Sequence, residues 1–260
     1  MENIVIIGSG NLATRLSLAL KDAGNVILQV YSPTEEHAKA LAGKIGCEYT
    51  TTTDAIRRDA GLYIIAIKDD AIRPTAATLC SRCSDALFVH TAGSVPMDIF
   101  KGHATKYGVL YPMQTFSKDR EVDFSEIPCF IEASSETALA TIRQLAESIS
   151  DHVVEADSEK RKKLHLAAVL ACNLTNHCYR LAERVLEAEQ IDFSLYLPII
   201  RETARKVTIM SPKDAQTGPM VRYDKGVMEM QMQMLPDQRT RDIYRLMAES
   251  IHEDKKNGSA

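Results

Sequence analysis

The sequence predicts an α/β domain, a mostly parallel doubly wound sheet, followed by an all-α domain. Up to about residue 156, short apolar runs alternate with amphipathic helical stretches; from Asp157 onward only helical periodicity remains. A third observation is local: the apolar run Asn3-Ile-Val-Ile-Ile7 leads directly into Gly8-Ser9-Gly10-Asn11-Leu12-Ala13 and then into an amphipathic stretch. The expected domains are 1–156 and 157–260, with no low-complexity linker between them.

Each position of the glycine turn has a physical task. Gly8 permits the tight turn out of the strand, Gly10 lets the backbone approach a pyrophosphate, and Ala13 is the third small residue, where helix packs on strand. The helix opening at Asn11 and Leu12 points free N–H groups and its positive dipole end at the phosphates. A G-x-G-x-x-A alone is a weak signal, but between an apolar strand and a helix it has the context of a Rossmann dinucleotide site. The alternative is a plain strand–helix turn.

Composition narrows the classes. Apolar residues make up 45% and charged residues 25%, the balance of a soluble globular chain. A formal net charge of -4 gives no electrostatic reason to expect nucleic acid or an anionic membrane as partner. No apolar run reaches the roughly 18 residues of a spanning helix, and no signal-peptide pattern precedes the first strand, so a cytoplasmic location is expected. The six cysteines are irregularly spaced and read as free thiols. Cys80-Ser-Arg-Cys83 has the spacing of a redox or zinc pair but stands alone, and no metal site is expected.

The elements follow in order. Asn25–Tyr31 reads as a second strand, and the residues at its end choose the cofactor. An acidic side chain there would hold a ribose 2′-OH. This chain has Tyr31-Ser32-Pro33-Thr34, in which no carboxylate repels a 2′-phosphate and the hydroxyls of Ser32 and Thr34 can donate to one; NADP is therefore favoured over NAD. A helix over 35–44 and a short strand at 47–49 come next. Leu62–Ile67 is a buried strand that ends at Lys68-Asp69-Asp70, where a helix begins. The aspartates suit a helix start, while Lys68 falls at the strand edge where open α/β sheets bind ligands. Ala86–Val89 ends in His90-Thr91-Ala92-Gly93-Ser94, which adds Thr91 to the cofactor set. The run 107–110 leads to Tyr111-Pro112-Met113-Gln114-Thr115-Phe116, which places Gln114 near a substrate. Strands at 127–131 and 153–154 around a helix from 135 to 149 complete the sheet.

The second half reads as helices over 157–189, 193–210, 225–235 and 237–253, with a frayed tail from Asp254. Met228, Met230, Met232 and Met234 suit a helical core or a subunit contact. On an uninterrupted first helix, at about 100° per residue, Lys162, His165, Asn173 and Asn176 share an arc of roughly 80°. A solvated face is the ordinary reading, but amides and imidazole are unusual there and suggest oriented hydrogen bonds.

Together with Thr217-Gly218-Pro219 and His165-Leu-Ala-Ala-Val-Leu-Ala-Cys-Asn173, these motifs resemble a family of Rossmann-like NADP oxidoreductases over nearly the whole chain. Their helical C-terminal domain is similar to that of 6-phosphogluconate dehydrogenase. The resemblance implies a helical domain that forms a homodimer and lays His165 and Asn173 near the nicotinamide. Three departures stand out. Pro33 replaces a common Arg. Leu166 and Ala167, four residues after Lys162 and Lys163, replace the Asn of β-hydroxyacid dehydrogenases. Gln231 stands where similar sequences carry His.

The expected function is hydride transfer between NADP and a small carbonyl or imine. His165 is the first candidate proton donor, because imidazole titrates near neutral pH, and Lys162 is the second. Asn173 and Asn176 orient the substrate, and Thr217 and Arg222 anchor an anionic group of it. The alternative is a nicotinamide-binding sensor without turnover.

Overall fold

The computed structural model describes residues 3–83 and 85–257. It divides into two compact units, Met1–Cys172 and Asn173–Ala260.

In the first unit, strands β1 (Asn3–Ile7), β2 (Val26–Tyr31), β3 (Glu48–Thr50), β4 (Leu62–Ile65), β5 (Leu87–His90), β6 (Lys106–Pro112), β7 (Cys129–Ala133) and β8 (Val153–Glu155) form one sheet. Its order is β3-β2-β1-β4-β5-β6-β7-β8. All neighbours are parallel except β6 and β7, whose register pairs Leu110 with Ile131 in antiparallel sense. The connecting helices are α1 (Asn11–Asp22), α2 (Glu35–Ile45), α3 (Asp69–Cys80) and α4 (Glu136–Glu147).

Successive strand residues point to opposite faces, and both faces are covered. Ile4 and Ile6 of β1 join Leu16 and Leu20 of α1 and Ile142 of α4 in one core layer. Val5 and Ile7 join Tyr63 and Ile65 of β4 and Ile72 and Ala76 of α3 in the other. Two-sided burial explains why these strands are continuous apolar runs. The connection from β1 leads to β2 on one side, while β4 lies on the other. The carboxyl ends of β1 and β4 therefore flank the crevice where such sheets take ligands.

Helix α5 (Ser158–Ala168) also belongs to the first unit. The change of pattern at Asp157 and the division after Cys172 thus differ by one helix. The reason is packing: Leu164 of α5 lies against Val109, Tyr111 and Phe130 of the sheet. The single helix expected over 157–189 is interrupted. A π-helical segment, Val169–Leu174, separates α5 from α6 (Thr175–Ala188). A π turn spends an extra residue, which sets the following residues back by about one residue's rotation, roughly 100°. The arc calculated for Asn173 and Asn176 with His165 does not hold on such a helix.

The second unit contains α6, α7 (Leu197–Ile209), the short α8 (Pro212–Ala215) and α9 (Pro219–Arg222), α10 (Lys225–Met234) and α11 (Gln238–Asn257). Asp224 caps α10 through the Val227 N–H. Arg184 pairs with Asp237 at 2.8 Å, and Tyr244 donates to Gln231 at 2.5 Å. Gln231 therefore serves as a hydrogen-bond acceptor between α10 and α11. The expected fraying from Asp254 is corrected, because α11 continues to Asn257; the rest of the tail lies outside the described residues. Among the described residues no helix is long and apolar enough to cross a membrane.

Candidate functional site

The turn after β1 is built around Gly8. Its φ is +123°, and a Cβ there would lie 2.2 Å from the Ala66 carbonyl oxygen, so only glycine fits between β1 and β4. Its N–H donates to Tyr31 O at 2.8 Å, which joins the turn to the end of β2. Gly10 differs: a Cβ there would meet no atom of the protein within 4 Å. Gly10 opens α1 without a side-chain cap, and the first turn of α1 has no acidic residue. Its leading N–H groups are therefore available to an anion. Steric room, free donors and no opposing carboxylate make this a cradle that fits a dinucleotide phosphate.

The turn lines a cleft of about 700 Å³, within the range of small-molecule sites. Of the expected cofactor residues, Gly8, Gly10, Asn11, Leu12, Ala13, Ser32, Lys68 and Thr91 all line it, as does His165. Asn11 also donates its side-chain amide to the Phe116 carbonyl at 2.9 Å. Ser9 donates to the buried Ser32 hydroxyl at 2.8 Å, which leaves the Ser32 proton free to donate. Thr34 does not line the cleft; it sits at the N-cap of α2 and makes no side-chain cap bond.

The opposite lip is formed by the ends of β5 and β6 and by α5. His90 at the end of β5 is fully buried and stacks on Phe100 at 5.8 Å. Its Nδ1 accepts from the Ala92 N–H at 3.2 Å, which shapes the following loop. Burial, with the Arg161 cation as a second cause, pushes its pKa down to about 3, so this imidazole is neutral and structural. Beyond it, Ser94 donates to Asp69, and Thr91, Ala92 and Gly93 face the cleft.

His165 reaches the cleft from α5, whose first turn is locked by a buried network. Asp157 caps it through the Lys160 N–H at 2.7 Å. The Arg161 guanidinium, 0% exposed, bonds Glu132 at 2.5 Å and Val95 O at 2.6 Å. Ser158 donates to Glu132 at 2.8 Å and accepts from Met97 N at 3.0 Å. Held this way, the His165 Nδ1 stands 3.0 Å from the Tyr111 hydroxyl, with the two rings edge to face at 5.9 Å.

Other expected residues fall elsewhere. Lys162 pairs with Glu159 at 2.7 Å and is not part of the cleft lining. Gln114 turns back to accept from its neighbour Thr115 N at 2.8 Å and is likewise outside the lining. Asn173, Asn176, Thr217 and Arg222 belong to the second unit, where all four are exposed. Cys80 and Cys83 are both buried free thiols, and burial pushes Cys80 up to about 12, which makes it inert. Among the cleft residues that sequence reasoning left unassigned are Tyr111, Gly93, Asp69 and Tyr31. Each follows a strand or lies at its end, at the ligand edge, the position that had singled out Lys68 and Thr91.

Two family models match the chain. Residues 3–92 match "NADP oxidoreductase coenzyme F420-dependent", and residues 127–251 match a domain of unknown function, DUF2520. No curated protein matches. The crystal structure of "putative NADP oxidoreductase BF3122" from Bacteroides fragilis is 50% identical, with a TM-score of 0.93, over 97% of this chain and 98% of that one. Protein TM1727 from Thermotoga maritima is 23% identical, with a TM-score of 0.73, over 99% and 100% of the two chains. An imine reductase from Myxococcus stipitatus, solved with NADP+, is 15% identical with a TM-score of 0.67, over 99% and 94%. The last two share the fold. At half identity over nearly its full length, the chain belongs to the NADP oxidoreductase family of the Bacteroides protein, with NADP as cofactor and a DUF2520 domain following the nucleotide-binding domain.

Proposed function

We propose that the chain moves hydride between the nicotinamide of NADP and a small carbonyl or imine. The observation that carries this reading is the composition of one cleft. The glycine turn and free α1 N-terminus form one lip, and a group able to handle protons, His165 with Tyr111, forms the other. NADPH, when bound, supplies the hydride. Gly8 and Gly10 give its phosphates room, the α1 N–H groups receive them, and Ser32 offers a donor near the ribose. His165 is the source of the proton that the reduced product needs. The imine reductase fold supports the C=N half of the substrate class by likeness of fold alone.

The partner we propose is a second copy of the chain. Among the described residues of the second unit only Leu186, Met228, Thr240 and Ala248 are buried, while Leu195, Ile199, Ile209 and Met234 are each more than half exposed. So small a core does not hold a helical unit, and exposed apolar residues in such number mark a contact surface. Closed two-fold pairing is the commonest way to cover one.

The test is a fluorescence titration with NADPH and NADH, followed by absorbance with ketoacids, aldehydes, cyclic imines and flavins. NADPH binding with oxidation by a carbonyl or imine is the expected result. Absence of binding at micromolar nucleotide refutes the reading; binding without oxidation of any compound favours a sensor.

A further inference from the structure

The proposed hydride transfer leaves open how the proton travels, and the cleft offers a route. Tyr111, next to last in β6, lines the cleft, with its ring against Phe130 at 6.3 Å and its hydroxyl 3.0 Å from His165 Nδ1. The pair is a built arrangement. A Cβ on Gly93 would lie 2.8 Å from His165 Cγ and Nδ1 and from Tyr111 Cζ, so the missing side chain there is what lets both rings close on the loop. The buried Arg161 network fixes the helix that carries the imidazole. Besides His165, three ionisable groups bear on the phenol. They are Arg161, neutralised by Glu132, Asp69, bonded to Ser94, and the Cys172 thiol. Burial raises the phenol above its ordinary value, so Tyr111 holds its proton at neutral pH and can donate it.

We propose that Tyr111 is a catalytic residue that hands its phenolic proton to the substrate, that His165 replaces that proton from Nδ1, and that the substrate is an uncharged carbonyl. This rests on the hydride-transfer reading. As hydride adds to the carbonyl carbon, the C=O π pair moves onto oxygen. That oxygen takes the phenolic proton, so one O–H bond forms as another breaks. The phenolate takes the Nδ1 proton of the His165 imidazolium, which leaves a neutral imidazole protonated on Nε2. Water then returns a proton to the imidazole. An iminium ion already carries its proton, and its reduction gains nothing from a donor pair; a neutral ketone or aldehyde gains the full effect of general acid catalysis.

Two measurements on the full chain test the route. In the protein loaded with NADP+, imidazole 15N spectra should show neutral His165 protonated on Nε2, and Tyr111→Phe should mix the two tautomers. A proton on Nδ1 in the neutral form, or spectra unmoved by the substitution, overturns the pairing. With acetophenone, benzaldehyde and 2-methyl-1-pyrroline as probes, NADPH consumption should occur with a carbonyl compound. Tyr111→Phe should then lower kcat roughly 10²–10⁴-fold while NADPH affinity stays within about twofold. His165→Asn, which cannot return a proton to the phenolate, should lower kcat while NADPH affinity stays within about twofold. Wild-type kcat in Tyr111→Phe, or reduction of the pyrroline alone, overturns the proton route and leaves hydride transfer standing. No consumption with any of the three, despite NADPH binding, overturns both.

Discussion

Removing the Glu132 carboxylate should cost the first unit more than any comparable change on its surface. Arg161 is completely buried and Glu132 is only 15% exposed. In Glu132→Ala, the guanidinium keeps Val95 O and Ser158 Oγ but loses its counter-charge, and its Nε already has no partner. Ser158 also loses the acceptor of its hydroxyl proton. Breaking a buried pair from one side costs about 3–5 kcal/mol, because the remaining charge is left uncompensated. At about 2–4 °C per kcal/mol for a domain of this size, the melting temperature should fall by roughly 6–20 °C. Circular dichroism melts at fixed salt measure it. Glu132→Gln, which keeps one acceptor, should lose less. Replacing both partners, Glu132→Leu with Arg161→Met, should recover most of the loss, since a buried pair exchanged for apolar residues is often neutral. A Glu132→Ala melt within about 2 °C of wild type would refute the claim that this network anchors α5.

Two further outcomes follow from the same unit. Gly8→Ala places a Cβ 2.2 Å from a backbone oxygen at a φ of +123°; it should cost at least about 1–3 kcal/mol in urea unfolding and weaken NADPH binding, and a wild-type titration would show that the turn is not the phosphate cradle. His90 is held neutral in the folded chain down to about pH 3, whereas its ordinary value is 6.5. Between these values the unfolded chain binds a proton that the folded chain does not, so stability falls as pH drops from 6.5 toward 3 and is flat above. His90→Gln should remove that part of the slope, and an unchanged urea midpoint against pH would show that His90 is not its source.

The sheet was legible because each parallel strand is buried on both faces and so appears as an uninterrupted apolar run. Leu62–Ile65, with all four residues buried, is the clearest case. The glycine turn was legible because its constraint is local: Gly8 contacts Ala66, but the need for a small residue with positive φ lies in the turn itself. What escaped was set by distant contacts. Tyr111 and His165 are 54 residues apart, and no periodicity relates the end of a strand to the middle of a helix. The antiparallel entry of β7 leaves no mark in composition, since an apolar run reads alike in both directions.

The run Lys160-Arg161-Lys162-Lys163 shows most plainly why residue type alone misleads. Successive helix residues are about 100° apart, so four consecutive cations cannot share one face, and Lys162 is paired with Glu159 at the surface. Arg161, one position earlier, is turned by about 100° into the sheet, where Glu132 of β7 and the Val95 carbonyl wait for it. A lysine cannot replace it there, because only a guanidinium spans a carboxylate and a carbonyl from one planar fork. The basic residue on α5 that bears on the cleft is therefore not Lys162, the second candidate acid. It is the buried cation that fixes the helix, and through the helix the imidazole, against Tyr111.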